Sequence, residues 1–272
     1  MLERFRRSWQ LTQQSAAVLM RDKELLLFPV LSALSSLAVI LSFLLPLFAS
    51  QSFDSLQHHR SPATYLLLFA FYFCNYFVTI FFNCALAGAA NKALSGEHAT
   101  LGDGLRIAMQ RIVPILVWTV VATTVGMVLK ALEQRAGKFG QIAIAILGAA
   151  WSILTYFIIP VVVFEDLDVA DGVKRSAALV KKSWGEGVSA GVTFIALTLG
   201  ALVPCAVLAF ALFNIQPWAA ALFVVIYIAL LVTVVSAMDG IFKVALYRYA
   251  AQGTVVQGFD PALIQGAFVQ KK

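Results

Sequence analysis

Asp239 and Lys243 stand four residues apart in VTVVSAMDGIFKVALYRY, inside an otherwise apolar stretch. That spacing lets a carboxylate and an ammonium meet on one face of a helix. An ionisable side chain within a membrane span costs about 2.5–3.5 kcal/mol on insertion scales, so the pair calls for mutual neutralisation or a use. Thr233, Ser236, Gly240 and Tyr247 fall in the same broad sector of that helix. A second apolar stretch carries Tyr72, Asn75, Thr79 and Asn83 within about one third of the circumference of a helix turning about 100° per residue. Ser152, Thr155 and Tyr156 sit on a third. Asn75, Thr79, Asn83, Ser152, Tyr156, Ser236, Asp239 and Lys243 are thus the residues that could line an intramembrane polar seam or solute path. Each also has a plainer use. Asn can hydrogen-bond a neighbouring helix, contributing on the order of 1 kcal/mol, and Asp239 with Lys243 can form an interfacial salt bridge.

Signatures of covalent chemistry are missing. The chain has no HExxH, GxSxG, Walker loop or dinucleotide fingerprint, so no catalytic residue, cofactor or enzymatic activity is expected. His58 and His59 sit beside Arg60 with only Asp54 as a nearby carboxylate, too little for a metal site. Cys74, Cys84 and Cys205 all fall in apolar runs with no CxxC pair, which suits small core residues. The acidic run Glu165, Asp166, Asp168 and Asp171 matches neither a calcium loop nor a carboxylate dyad, and reads as connector and helix-cap chemistry.

The elements that must position these residues are membrane helices. Of 272 residues 61% are hydrophobic and 12% charged, with mean hydropathy +0.86. A soluble domain carries about 25% charged residues, so this chain cannot cover a water-exposed surface. Six segments, 25–49, 63–90, 112–129, 141–164, 188–213 and 217–238, are long enough for a hydrocarbon core that needs roughly 20 helical residues. They are apolar all round, unlike the alternating strands of membrane barrels, and a helix pairs every backbone polar group within lipid. With the N-terminus in the cytoplasm, only Arg60, Lys130, Arg135 and Lys138 of the twenty Lys and Arg residues lie outside. This positive-inside bias places both termini in the cytoplasm. About 24 polar and amphipathic residues precede the first apolar run, which argues against a cleaved signal peptide, and Glu3, Asp22 and Glu24 argue against a mitochondrial presequence. The net charge of +6 and pI of about 9.3 then point to anionic phospholipid rather than nucleic acid.

Self-comparison shows a repeat. Residues 3–15, ERFRRSWQLTQQS, lie over 171–183, DGVKRSAALVKKS, without a gap, and DGLRIAMQR at 103–111 matches the start of the latter. Each copy precedes an odd-numbered span, so the fold expected is all-α and polytopic: three hairpins of membrane helices, each led by a basic amphipathic helix. The units are about 1–97, 98–166 and 167–255, with a cytoplasmic tail 256–272, in one transmembrane domain 1–272. Val173, Ala177, Val180 and Trp184 form one apolar stripe, Leu2, Phe5, Trp9, Ala16 and Leu19 a second, and Leu105, Ala108, Met109 and Ile112 a third. Arg4, Arg6, Arg7, Trp9, Arg106, Arg111, Lys174, Arg175, Lys181, Lys182 and Trp184 make a basic collar facing lipid or a partner. The collar reads either as topology anchors or as a surface that senses lipid or docks a protein. Gly187 and Gly191, with the Ala85, Ala87, Gly88, Ala89 and Ala90 patch, permit close helix approach. Pro29, Pro46, Pro160 and Pro204 are expected to kink their spans.

RFRRSWQLTQQSAAVLMRDKELLLFPVLSAL, FEDLDVADGVKRSAALVKKSWGE and QGFDPALIQGAF resemble an uncharacterised family of bacterial six-span membrane proteins over nearly the whole chain. A looser similarity extends to the membrane domains attached to some glycerophosphodiester phosphodiesterases. The resemblance implies a prokaryotic plasma membrane and a six-helix fold, and it supplies no catalytic residue. The expected role is small-solute transport or permeation, or membrane organisation. A non-enzymatic scaffold, as a homo-oligomer or with a membrane-protein partner, and lipid-headgroup binding by Trp9, Trp184 and their neighbouring cations stand beside it.

Overall fold

A computed structural model of the chain describes the backbone of residues 2–49, 62–254, 256 and 258–260, and their side chains except 2–8, 11, 47–49 and 183–194. The described residues form helices and no strand. The helices are α1 (Leu2–Arg21), α2 (Leu27–Ala49), α3 (Pro62–Leu94), α4 (Leu101–Gln110), α5 (Ile112–Arg135), α6 (Lys138–Leu154), α7 (Ile158–Phe164), α8 (Val169–Phe213) and α9 (Pro217–Gln252), with a 3-10 turn at Lys23–Leu26. Six stretches are long and apolar enough to cross a membrane: Lys23–Pro46, Pro62–Leu94, Ile112–Arg135, Lys138–Phe164, Ile195–Phe213 and Pro217–Gln252. One falls on each expected span. Between 6% and 22% of their most apolar stretches is buried, so most of that surface is left to face lipid.

The second span runs on to Leu94 and the third through Lys130 to Arg135, and three larger differences from the sequence reading each have a local reason. The fourth span is two helices, broken at residues 155–157. Pro160 has no N–H to give the Tyr156 carbonyl and its ring crowds that turn. The backbone tightens there, with Tyr156 N–H bonded to Ile153 O at 3.2 Å and Ile158 N–H to Thr155 O at 3.0 Å. The sixth span runs on to Gln252, because Asp239 meets Lys243 across one turn at 2.6 Å and the charge no longer ends the helix. Gly253, at φ 70°, closes it with a left-handed cap that glycine adopts without a Cβ clash. The third basic segment and the fifth span are one continuous 45-residue helix, α8. Pro46 and Pro204 lie inside unbroken helices.

The chain divides into two compact units: Met1–Pro29, Ala89–Leu101 and Leu179–Lys272 in one, Val30–Gly88 and Gly102–Ala178 in the other. In the first unit α1 packs on α9. Its protein-facing side is Thr12, Ser15, Val18 and Leu19, whereas Trp9, Ala17 and Met20 are exposed. Leu25, Phe28, Ala93, Leu94 and the Ala237–Leu246 stretch of α9 supply most of the remaining core, and burying such side chains contributes about 1.5–3 kcal/mol for each large aliphatic or Phe. The tail returns to α1: Val256 and Phe259 are buried, and the Asp260 N–H donates to Gln14 Oε1 at 3.2 Å.

The second unit is built on close approaches. A Cβ at Gly88 would sit 2.8 Å from Ile107 Cγ2 of α4, so the small-residue patch of α3 does admit a neighbouring helix. Consecutive spans touch through aromatic pairs, Phe43 with Phe71 at 5.5 Å between α2 and α3, and Trp118 with Trp151 at 5.9 Å between α5 and α6. In the first unit the Tyr227 hydroxyl of α9 donates to Ala201 O of α8 at 2.7 Å. The Gly187 and Gly191 side of α8 lies outside the described side chains.

Candidate functional site

The eight residues of the expected seam fall five to the second unit and three to the first: Asn75, Thr79, Asn83, Ser152 and Tyr156, then Ser236, Asp239 and Lys243. Several bond their own helix. Asn75 Nδ2 donates to Phe71 O at 3.0 Å, Thr79 Oγ1 to Asn75 O at 3.0 Å, and Ser152 Oγ to Gly148 O at 3.0 Å. Thr155 and Thr233 do the same to Trp151 O and Ala229 O, both at 2.8 Å. Such bonds shelter a hydroxyl from lipid without a second helix. Tyr156 is half-buried, its ring edge-on to Phe157 at 4.9 Å. Asn83 and Ser236 are exposed. Asp239 and Lys243 are each about one third exposed and face each other, which is the salt-bridge use of that spacing.

The basic collar separates into fastened and open cations. Arg175 Nε sits 2.9 Å from both carboxylate oxygens of Glu165, a three-centre charge-assisted clamp from α8 to the end of α7. Arg111 reaches Asp166 at 3.1 Å, while Arg106 pairs with Asp103 at 3.4 Å one turn away. Lys174 meets Asp171 at 2.8 Å in the first turn of α8; this hydrogen bond and the Asp171 charge hold its ammonium above the ordinary lysine value of 10.5. Lys181 and Lys182 are exposed, and among the described residues no carboxylate pairs with either. Trp9 is exposed, and the side chains of Arg4, Arg6, Arg7 and Trp184 lie outside the described residues, as do His58, His59 and Arg60. The acidic run therefore supplies fastening partners for the collar.

Two features were invisible as motifs. One is a polar clasp in the first unit. Asp22, its side chain 3% exposed, is 3.1 Å from Arg21 Nε and 3.3 Å from His98 Nδ1, while Arg21 also donates to Ala93 O. Glu24 Oε2 accepts the Leu101 N–H at 2.7 Å, and Arg248 reaches Ser95 Oγ at 2.9 Å. The loop after α3 is thus held from both α9 and the turn after α1. The RDKE run at 21–24 was the available signal, though its partner loop lies more than seventy residues away.

The other is an open cavity of about 480 Å³ in the second unit. Its walls are Val113, Pro114, Val117 and Trp118 of α5, Ile158, Val161 and Val162 of α7, and Asp166, Leu167, Asp168, Val169, Asp171 and Gly172 leading into α8. The Pro160 break helps shape it, since the Phe157 N–H that lost its helical acceptor donates to Ser176 Oγ of α8 at 3.0 Å, and both residues are fully buried. Among the described residues no group of His, Cys, Asp and Glu is arranged to hold a metal ion.

A family model described as a family of unknown function (DUF6159) matches residues 62–259. No curated protein and no solved structure matches the chain.

Proposed function

We propose that this chain, which belongs to the DUF6159 family of unknown function, organises membrane lipid through its basic end, without covalent chemistry of its own. Its spans lie in a plasma membrane as three hairpins, with both termini at the cytoplasmic face. The aromatic pairs between consecutive spans and the distribution of Lys and Arg support that arrangement. The observation that carries the functional reading is the sorting of the collar. Arg175, Arg111 and Lys174 are fastened to carboxylates, whereas Lys181 and Lys182, on the helix that continues into the fifth span, are exposed and meet no carboxylate among the described residues. Each such near-surface cation adds about 1 kcal/mol of attraction to an anionic leaflet. The test is native mass spectrometry of protein released from bilayers of mixed anionic and zwitterionic phospholipid. A preference for anionic lipid that falls in a Lys181→Gln, Lys182→Gln double variant supports the reading; no preference in the wild type overturns it.

Solute permeation is a second reading, favoured by the one-third-exposed Asp239–Lys243 pair inside the span Pro217–Gln252. It predicts liposome flux that changes in Asp239→Asn. Flux indifferent to that substitution leaves the pair a structural bridge.

A further inference from the structure

We propose that α3 docks within the membrane on α3 of a second copy of this chain, through the polar strip Tyr72, Tyr76, Thr79 and Asn83. From Phe69 to Leu94, these four are the residues of α3 that are exposed among the described residues. They lie inside the span Pro62–Leu94, whereas Phe73, Phe77 and Phe81 of the same helix are half-buried and pack on one another at 6.5 and 5.8 Å. A helix facing hydrocarbon shows the opposite order, phenyl rings outward and amides inward, because lipid offers an amide no hydrogen bond. Asn83 is the sharpest case. Among the described residues its carboxamide has no hydrogen-bond partner, while Asn75 one face away uses the Phe71 carbonyl at 3.0 Å.

The chemistry of the strip selects the partner. Its residues are separated by four, three and four positions, the spacing of a left-handed helix crossing, so one neighbouring helix can reach all of them. None is charged, and each side chain can both donate and accept a hydrogen bond. Such a strip complements itself across a two-fold axis and needs no counter-charge from a foreign helix. The neighbouring α5 approaches α3 closely, since a Cβ at Gly126 would sit 3.0 Å from the Tyr76 hydroxyl oxygen. It offers no second polar wall for a hydrated path: Leu116, Val117, Val120 and Val128 are exposed there, and the Thr124 hydroxyl is used by Val120 O at 2.7 Å. A polar strip flanked by apolar side chains suits a packed helix.

The test is single-molecule photobleaching of fluorophore-tagged full-length protein in vesicles of phosphatidylethanolamine and phosphatidylglycerol, over a dilution series of protein in lipid. Wild type should pass from single to paired copies as the protein fraction rises. Asn83→Leu should weaken pairing about tenfold, the size of an interhelical amide bond lost from each copy, and Asn83→Gln should keep most of it. Leu222→Ala, at an exposed site of α9, should change nothing. Mild oxidation reads the contact directly in variants that keep the wild-type surface elsewhere. Thr79→Cys or Asn83→Cys should give a disulfide-linked pair above the level set by the native Cys74, Cys84 and Cys205. Wild type that stays single throughout, because the strip is covered within one chain or by another protein, overturns the proposal. So does pairing indifferent to Asn83→Leu, or the failure of both cysteine variants to cross-link.

Discussion

Replacing Ser176 with Ala tests how the broken fourth span is held. The Ser176 hydroxyl accepts the Phe157 N–H at 3.0 Å, and both residues have no exposed surface. Alanine removes the acceptor and leaves a backbone donor dry and unpaired, at a cost of about 1–3 kcal/mol, or about 5- to 150-fold in the folding equilibrium. Thr79→Val is the matched control. Its hydroxyl bonds Asn75 O within one helix, and that carbonyl belongs to a turn that keeps its backbone bond, so the change should stay within about 0.5 kcal/mol. Unfolding by SDS titration in bicelles measures both. Pro160→Ala supplies the second arm. Without the proline ring the helix can close through residues 155–157, and Phe157 N–H can return to the Ile153 carbonyl. Ser176→Ala should then cost less than half as much in the Pro160→Ala background. A Ser176→Ala variant as stable as Thr79→Val, or one whose cost is unchanged beside Pro160→Ala, would refute the account.

Gly88→Val should destabilise by about 1–3 kcal/mol through overpacking, because the new side chain meets the branched Ile107 at 2.8 Å; unfolding in bicelles reads the loss. Asp22→Ala should cost about 1.5–3 kcal/mol by removing the buried partner of Arg21 and His98, and His98→Ala should cost much less, since the His98 side chain is 90% exposed. Phe259→Ala should release the returned tail at a cost of about 3 kcal/mol and raise its cleavage rate in limited proteolysis. The Asp171–Lys174 pair has a defined pH sign. Its raised folded-state lysine value makes the contribution complete below the ordinary lysine range and lost only as pH climbs through the raised value. Stability in Asp171→Asn should therefore track wild type most closely in strong alkali, as a pH series of unfolding curves would show.

The six spans were legible because lipid imposes a one-letter code: apolar for about 20 residues, or not. Where a span ends or breaks was less legible, because distant partners settle it. Pro160 is plain in the sequence, yet whether it kinks or splits its helix depends on an acceptor for Phe157 N–H, which Ser176 supplies nineteen residues later. Asp239 looks like a stop, and its neutralisation by Lys243 together with the burial of Ile241, Phe242 and Val244 carries α9 past it. The tail contact rests on two buried side chains, Val256 and Phe259, which form no periodic pattern.

Helical geometry puts Asn75, Thr79 and Asn83 in one sector of α3, and a shared face does not by itself make a site. In lipid the nearest available acceptor for a short polar side chain is the carbonyl one turn back, and Thr79, Ser152, Thr155 and Thr233 all take it. Long cations cannot do so, because an ammonium or guanidinium carries charge that a single carbonyl leaves uncompensated. They find carboxylates, as Arg175 and Arg111 do, reach a distant hydroxyl, as Arg248 does, or stay exposed without a carboxylate partner among the described residues, as Lys181 and Lys182 do. Charge matching in the described residues therefore falls at the ends of the spans, and the apolar middles are largely self-sufficient.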